Sequence, residues 1–339
     1  MRHTWLHWLA FLSLIAACGS AATRPRYGGT LRVEIRESIE TADPPQTGQG
    51  IADLASAFTI TRWEGGRLAA YSANDDAPGG RPFLDSVEIQ MARPFRDQSI
   101  DLEVGKADII EIAPSEVRRI PAARKVWSTA PVRLLAVVFG PQITDNRLRE
   151  ALALSIDRAA IHNVILQRQG EITAALLPQW ISGYAFLFPS ATDLVRARTL
   201  TASLPVPLRT LSLSVEEITW RPVGDRIALN ARDAGLAVNV SVRNPSADAR
   251  LVEVRAISTE AWEALSGLAS SLGLPQPPRA ASAEGVYSGE RMLLEGSRVI
   301  PLFHLPYVYE ISPRVHGGPG ITPLGAWRFE NLWLEGIRP

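Results

Sequence analysis

A chain of 339 residues, 46% hydrophobic and 21% charged, is long enough for two domains with hydrophobic cores, and its composition excludes a disordered or fibrous protein. Its 35 basic and 35 acidic side chains give a formal net charge of zero. Proteins that bind nucleic acid usually carry a basic excess, so we predict no nucleic-acid partner. The single cysteine excludes an internal disulfide framework and a cysteine-rich metal site.

Residues 1–22 have the pattern of an export signal and linker. A weakly basic start precedes an apolar run from Trp5 to Ala17, which is shorter than the roughly 20 residues of a membrane-spanning helix. Ile15-Ala16-Ala17-Cys18 resembles the lipobox of bacterial lipoproteins, so Cys18 is predicted to be lipidated. Cleavage within residues 19–22, which discards Cys18, and a buried core thiol are the alternatives. Export places the mature protein in the periplasm or another extracytoplasmic space, with the lipid anchor as its only membrane contact.

Alternating apolar and polar residues predict β-strands in the first third of the chain. Leu31, Val33 and Ile35 alternate with polar residues directly after Gly28-Gly29, which indicates a half-buried strand. Further strands are predicted over residues 58–63 and 68–71, with Glu64-Gly65-Gly66 between them, and over residues 83–91.

A strand–helix–strand unit is predicted in the second half of the chain. A strand over residues 208–215 precedes a helix that begins near Pro222 and is closed by Gly235, and a second strand follows over residues 236–242. This order of elements implies parallel strands with a right-handed crossover. Residues 251–257 and 259–272 repeat the strand and helix patterns, so the fold class is α/β.

A long helical region is predicted from Asp145 to about Gln167. Leu148, Ala151 and Leu152 lie on one face of it, and Asp157 has the position of an N-cap for a second helix beginning at Arg158. The Pro-rich residues 274–283 are predicted to be a connector.

Catalytic and metal-binding patterns are scarce in this sequence. His316-Gly317-Gly318-Pro319-Gly320 resembles the oxyanion-hole loop of some α/β-hydrolase peptidases, but no Gly-x-Ser-x-Gly follows it. A turn after a strand is the simpler interpretation. His162 and His304 lack the spacing of a zinc helix, and no phosphate-binding glycine motif occurs. We predict no catalytic residue, metal or cofactor, and therefore no enzyme.

Five segments, in the same order, resemble one protein family. The match with the longest motif is Thr144–Arg158, which is close to the two-helix signature of that family. The others are Tyr27–Val33, Ala73–Asp76 with Gly80–Glu88, Leu102–Asp108, and, more loosely, Ile300–Phe303 with Pro313–Gly317. On these residues the chain resembles the family 5 extracellular solute-binding proteins, which are the dipeptide- and oligopeptide-binding components of bacterial ABC importers.

The resemblance implies a two-lobed, periplasmic-binding-protein-like α/β fold with a hinge between the lobes. Residues 23–131 together with 299–339 would form the first lobe and residues 132–298 the second, with Val132–Phe139 as a crossing strand. The implied function is capture of a peptide-like or other small solute between the lobes for an importer, whose permease subunits are the implied partners.

Two departures from the family pattern bear on the ligand. The chain is short between Asp43-Pro44 and Trp63, where the family builds much of an extra domain. Ile257–Trp262 lacks the Asp-Pro motif by which peptide-binding members hold the ligand's α-amino group, which predicts that free-amino peptides are not the ligand. A degenerate paralogue that acts as a sensor or scaffold without transport is therefore the alternative.

Candidate ligand-binding residues are the acidic and hydroxyl side chains after the first strand and four polar or aromatic side chains further along the chain. For the aromatic residues, packing within a lobe is the competing interpretation. The candidates are Glu37, Thr41, Trp180, Tyr184, His304 and Tyr307.

Overall fold

The computed structural model describes residues 24–39, 54, 57–122, 124–184 and 189–335. The predicted export signal with Cys18, and the candidate Thr41, lie outside these residues.

Two mixed β-sheets organise the chain. The strands are β1 Thr30–Glu34, β2 Phe58–Glu64, β3 Leu68–Ala73, β4 Ser86–Gln90, β5 Ile109–Glu111, β6 Lys125–Ser128, β7 Arg133–Phe139, β8 Glu171–Ile172, β9 Thr210–Val215, β10 Ala237–Val242, β11 Ala249–Arg255, β12 Val299–Leu305, β13 Val308–Ile311, β14 Val315–His316 and β15 Trp333–Leu334. The first sheet has seven strands in the order β2-β3-β4-β1-β5-β13-β6, and the second has six in the order β10-β9-β11-β7-β12-β8. Strands β14 and β15 form a separate two-stranded ribbon.

The strand predictions are confirmed with small shifts of their ends. In the first sheet β1 runs parallel to β4 and β5, and β2 pairs with β3 in the antiparallel direction. In the second sheet β9 and β10 are parallel neighbours, as the strand–helix–strand unit predicts. The strand predicted over residues 83–91 is shorter, since its pairing begins at Ser86.

Helices pack against both sheets, and one of them begins at the predicted cap Asp157. Asp157 accepts a hydrogen bond from the Ala160 backbone N–H, so the predicted N-cap is confirmed. Gly235 has φ of +85°, a conformation that glycine adopts without a Cβ clash. The α-helices are Phe95–Glu103, Asn146–Ser155, Arg158–Ala160, Gln179–Ser182, Leu194–Ala202, Arg221–Asp233, Ala261–Ser271 and Ala283–Leu294, with a π-helical turn at Ile161–Ile165 and 3-10 turns at Pro114–Arg119, Val206–Arg209, Ile218–Trp220 and Glu295–Ser297.

Strand β7 lies at the centre of the second sheet and is buried along its whole length. Because side chains alternate across a strand, Leu135 and Val137 join one core cluster with the helix Asn146–Ser155. Leu134 and Ala136 join a second cluster with the helices Ala261–Ser271 and Ala283–Leu294. A strand covered on both faces reads as a continuous apolar run, which is what residues 134–139 show.

The chain passes between the two sheets in two neighbouring segments, from β6 to β7 and from β12 to β13. The Thr129 N–H donates to the Tyr307 carbonyl at 3.0 Å, and the Tyr307 N–H donates to the Thr129 hydroxyl at 2.9 Å. The Val132 N–H donates to the Leu305 carbonyl at 3.2 Å. The crossing segments therefore support each other directly.

The observed sheet membership differs from the predicted return at residue 299 and from the predicted crossing strand Val132–Phe139. Strand β12, at residues 299–305, is hydrogen-bonded within the second sheet, so the return to the first sheet comes after Leu305 and not at residue 299. Strand β7 also lies within the second sheet, and residues 129–132 make the crossing. Among the described residues, no helix combines the length and the apolar character that a membrane crossing requires.

Candidate functional site

A cavity of about 960 Å³ lies between the two sheets. From the first sheet it is lined by residues 36–38, which follow β1, and by residues 92–95, which follow β4. From the second sheet it is lined by residues 216–219 after β9 and by Arg243 after β10. Because β1 and β4 are parallel, as are β9 and β10, their carboxyl ends lie together, and this is where open α/β sheets bind ligands.

The walls of this cavity are charged and electrically balanced. Four arginines and four glutamates line it, and Phe95 and Tyr307 are its two aromatic side chains. The charged residues are Arg36, Arg93, Arg243, Arg255, Glu37, Glu216, Glu217 and Glu253.

Glu253, on β11, is the best-satisfied carboxylate of the wall. It accepts hydrogen bonds from Arg133 Nη1 at 3.1 Å and from Trp220 Nε1 at 2.9 Å, and Arg36 Nη2 lies 3.8 Å away. Burial raises the pKa of Glu253, but the positive charges of Arg133 and Arg36 outweigh it, so the net pKa lies below its usual range. Glu253 therefore holds a negative charge inside the protein.

Arg133, at the start of β7, ties this network to a crossing segment. Its side chain is 3% exposed, and Nη2 donates to the Pro306 carbonyl at 2.6 Å. The guanidinium carbon lies 4.3 Å from the centre of the Tyr307 ring, a cation–π distance. Burial lowers the pKa of Arg133, yet the charge of Glu253 more than reverses this effect.

Arg36 joins the two sheets across the cavity. It follows β1 in the first sheet, and its Nη1 lies 3.1 Å from the Glu217 carboxylate, which follows β9 in the second sheet. The Arg36 backbone N–H donates to the Glu111 carboxylate at 2.9 Å. Its guanidinium also lies 5.7 Å from the centre of the Phe95 ring.

Two of the predicted site residues, Glu37 and Tyr307, line this cavity. Tyr307 is buried between the guanidinium groups of Arg133 and Arg255, at 4.3 and 5.8 Å from its ring centre. Burial raises the pKa of Glu37, and the charge of Arg255 opposes that effect only in part. Their contact with a ligand stays a prediction.

The other described candidates, Trp180, Tyr184 and His304, do not line this cavity. Trp180 donates from Nε1 to the Pro131 carbonyl at 3.1 Å, beside a crossing segment. The Tyr184 hydroxyl donates to the Glu290 carboxylate. His304 is 2% exposed, lies 2.9 Å from the Leu176 carbonyl through Nε2, and is kept neutral because burial lowers its pKa to about 4.

Sequence reasoning missed the charged residues of the second sheet that line the cavity. Val252-Glu253-Val254-Arg255 alternates as a strand with one face in water does, so its charges indicate no site. The charged face of this strand instead lies against the cavity. A weak indication was available at Arg133, a charge directly before the apolar run of residues 134–139.

The Gly-rich string after β14 and the remaining titratable residues form no recognisable catalytic or metal site. His316 stacks on Trp333 at 4.3 Å between ring centres and lies 3.2 Å from the Glu335 carboxylate. Within the part of the chain that the structure describes, no group of three or more His, Cys, Asp or Glu side chains is arranged to hold a metal ion.

Two mixed sheets, joined by paired crossing segments around a cavity, define the periplasmic-binding-protein class of fold. The family model for bacterial extracellular solute-binding proteins, family 5 Middle, matches residues 40–264, which is more than half of the chain. The chain belongs to the family 5 bacterial extracellular solute-binding proteins, as the five sequence segments predict.

Individual proteins that resemble this chain are solute-binding proteins of the same kind. The oligopeptide-binding protein AppA of Bacillus subtilis (strain 168) is 23% identical over 141 residues, which are 40% of this chain and 25% of AppA. A dipeptide-binding protein from Pseudoalteromonas sp. SM9913, solved in complex with Met-Leu, has a TM-score of 0.69 at 14% identity over 82% of this chain and 64% of its own. NikA from Staphylococcus aureus, solved with Ni(L-His)2, has a TM-score of 0.69 at 15% identity over 82% of this chain and 68% of its own.

These matches also confirm the predicted fold and show that the chain is shorter than its relatives. The sequence alignment spans 25% of AppA, and the superposition spans 64% of the dipeptide-binding protein.

Proposed function

We propose that this protein is the extracytoplasmic solute-binding component of an ABC importer and that it captures a peptide-like or other small solute in the cavity between the sheets. The observation that carries the proposal is the cavity at the carboxyl ends of four parallel strands, two from each sheet. The relatives solved with Met-Leu and with Ni(L-His)2 support the choice of solute classes.

The size and lining of the cavity suit a small polar solute. Its volume of about 960 Å³ is near the upper end of the range of roughly 300–1,000 Å³ that small-molecule sites occupy. Its charged walls favour a solute that replaces the hydrogen bonds of water, because a buried charge left unpaired is costly.

We further propose that the two sheets are the cores of two lobes that close on the solute. The sequence assigns residues 23–131 and 299–339 to one lobe and 132–298 to the other, and the membership of β12 in the second sheet supports moving the return to after Leu305. The crossing segments, linked by the bonds between Thr129 and Tyr307, are the natural place for a hinge. The Arg36–Glu217 ion pair would then favour the closed form.

We also propose that the protein delivers its solute to the permease subunits of the importer and that a lipid on Cys18 attaches it to the membrane. The apolar run and the lipobox-like string support the anchor. We expect Cys18→Ser to move the protein from the membrane fraction to the soluble extracytoplasmic fraction, and an unchanged distribution would count against lipidation.

Binding is tested by thermal unfolding of the purified protein with pooled dipeptides, nickel–histidine chelates and sugars. A solute present at about 100 times its dissociation constant stabilises the folded state by roughly 2.7 kcal/mol, which raises the melting temperature. Thr219→Trp, which places an indole at the cavity wall, should abolish the shift. Thr199→Trp, the same change on an exposed helix face, should leave it intact.

A protein that no pool stabilises would not be a solute receptor of this kind. The sensor or scaffold alternative would then be favoured, since it requires the fold but not the transport cycle.

A further inference from the structure

The charged side chains of the cavity differ in whether they have an ionic partner. Arg36 pairs with Glu217, Glu253 pairs with Arg133, and Arg93 lies 3.4 Å from Glu34 and 2.5 Å from Asp101. Among the described residues, the side chains of Glu37, Glu216, Arg243 and Arg255 form no ion pair within 4.0 Å. The cavity therefore contains equal numbers of unpaired acidic and basic groups.

Glu37 and Arg255 differ from the other two because each has an enclosed polar atom without a partner. Within the described part of the chain, Glu37 Oε2 and Arg255 Nε are closed off from solvent and have no hydrogen-bond partner. Arg36 Nε is also enclosed without a partner, but the charge of Arg36 is already paired with Glu217. Neither Glu216 nor Arg243 has such an atom, and Arg243 donates from Nε to the Glu216 carbonyl at 3.3 Å. Buried polar groups normally have partners, so an unmatched pair beside a cavity points to a missing ligand group.

The two residues approach the cavity from opposite sheets. Glu37 follows β1 in the first sheet, and Arg255 is the last residue of β11 in the second. Arg255 is held away from Glu37, because its Nη2 donates to the Leu324 carbonyl at 2.7 Å and its guanidinium lies 5.8 Å from the Tyr307 ring centre. The charge of Arg255 still lowers the pKa of Glu37, so the two groups influence each other without touching.

We propose that Glu37 and Arg255 are a separated ion pair that the ligand completes: Glu37 accepts a cationic group of the solute and Arg255 donates to an anionic group. This assignment rests on the proposed function and specifies the solute class as a zwitterion. Since the two residues belong to different sheets, a bound zwitterion links the sheets as it satisfies both charges. The carboxylate that binds a ligand ammonium then comes from the loop after β1 and not from residues 257–262. Peptides with a free amino group, which the sequence of residues 257–262 argued against, are therefore among the solutes to be tested.

The test compares three probes by isothermal titration calorimetry: Met-Leu with free termini, N-acetyl-Met-Leu without the cation, and Met-Leu amide without the anion. We expect the wild-type protein to bind free Met-Leu about 30-fold or more tightly than either capped form, since each capped form leaves one buried charge unpaired. Glu37→Gln should abolish the preference over the N-acetyl form and retain the preference over the amide. Arg255→Gln should do the reverse.

Glu216→Gln is the matched control, because it makes the same chemical change on another unpaired carboxylate of the cavity. It should retain both preferences, and an equal loss in Glu216→Gln and Glu37→Gln would overturn the assignment. Glu37→Asp and Arg255→Lys keep the charges and should restore part of the preferences. Glu37→Gln should also melt no lower than wild type without ligand, because it removes a carboxylate whose enclosed oxygen has no partner.

Different binding results refute the separated ion pair of Glu37 and Arg255 and the capture of a solute in the cavity. Equal binding of the three probes to the wild-type protein would refute the separated ion pair and leave solute capture standing. Binding of a chelate or sugar pool but of none of the three probes would do the same. No binding of any probe or pool would refute both.

Discussion

Two carboxylates near the second sheet, the partly buried Glu253 and the fully buried Glu290, are stabilised in different ways. Glu253 lies at the cavity wall beside the guanidinium groups of Arg133 and Arg36. Glu290, on the helix Ala283–Leu294, has no exposed surface and accepts from the backbone N–H groups of Leu176 and Leu177 and from the Tyr184 hydroxyl. The partners of Glu253 are mainly charged and those of Glu290 are neutral.

The difference in partners moves the two pKa values in opposite directions. Burial raises both, but the arginines reverse the effect for Glu253, whereas the neutral donors around Glu290 only reduce it. Glu290 therefore links the helix Ala283–Leu294 to the segment of residues 176–184, which includes the short helix Gln179–Ser182. Glu37 has neither kind of partner in the described chain, which is why it is the stronger candidate for contact with a ligand.

The largest effect is expected from removing the cation beside Glu253. Arg133→Ala leaves the largely enclosed Glu253 carboxylate and the Pro306 carbonyl without their main donor, and breaking a buried pair in this way costs about 3–5 kcal/mol. The free energy of unfolding in urea measures this loss. Arg119→Ala serves as the control, since Arg119 is 78% exposed and pairs with Glu116, and should change stability by about 1 kcal/mol or less. Similar losses in the two variants would contradict the role assigned to Arg133.

A smaller loss is expected from removing the Glu290 carboxylate. Glu290→Ala leaves two buried N–H groups unsatisfied, so the free energy of unfolding in urea should fall by about 2–4 kcal/mol.

Glu290→Gln is the matched control, because the amide oxygen still accepts from both N–H groups and the amide nitrogen can donate to Tyr184. It should change stability by about 1 kcal/mol or less. If Glu290→Ala were as stable as Glu290→Gln, the hydrogen bonds of Glu290 to residues 176–184 would not be stabilising the fold.

The smallest effect is a difference in pH dependence between Glu253→Gln and Glu290→Gln. The pKa of Glu253 is lowered from 4.5, so its stabilising contribution is present above that pH and is lost as the pH falls through the folded-state pKa. The pKa of Glu290 is raised from 4.5, so its contribution is fullest below that pH and is lost as the pH rises through the folded-state pKa.

Urea unfolding separates the two cases when it is measured on both sides of pH 4.5, because Glu253 titrates differently from the unfolded chain below that pH and Glu290 above it. Relative to wild type, Glu253→Gln should become less stable as the pH rises, and Glu290→Gln should become more stable, by about 1.4 kcal/mol for each unit of pKa shift. Parallel pH profiles for the two variants would show that their surroundings do not differ as described.

Local pattern was sufficient for much of the fold. The parallel pair β9 and β10 and the glycine that ends the intervening helix follow from hydrophobic periodicity and from the left-handed conformation that Gly235 tolerates. Asp157 is likewise recognisable as a cap, because its partner, the Ala160 N–H, is three residues away. These features depend on neighbours along the chain, and the sequence shows those neighbours directly.

The candidate site was only partly predictable. Glu37 and Tyr307 were identified and line the cavity, whereas Trp180, Tyr184 and His304 are bonded elsewhere. A polar aromatic side chain looks the same in sequence whether its hydrogen-bond partner is a ligand or a residue about a hundred positions away, as Glu290 is from Tyr184.

The sequence by itself determined the α/β class, the family and most element boundaries, because these depend on periodicity, caps and motifs within short segments. Only the tertiary structure decided that β12 belongs to the second sheet, and that Glu253 and Arg255 line a cavity. Strand alternation specifies which residues share a face, but what covers that face depends on segments far away in the chain. The unpaired charges of Glu37 and Arg255 come together for that reason, from opposite sheets.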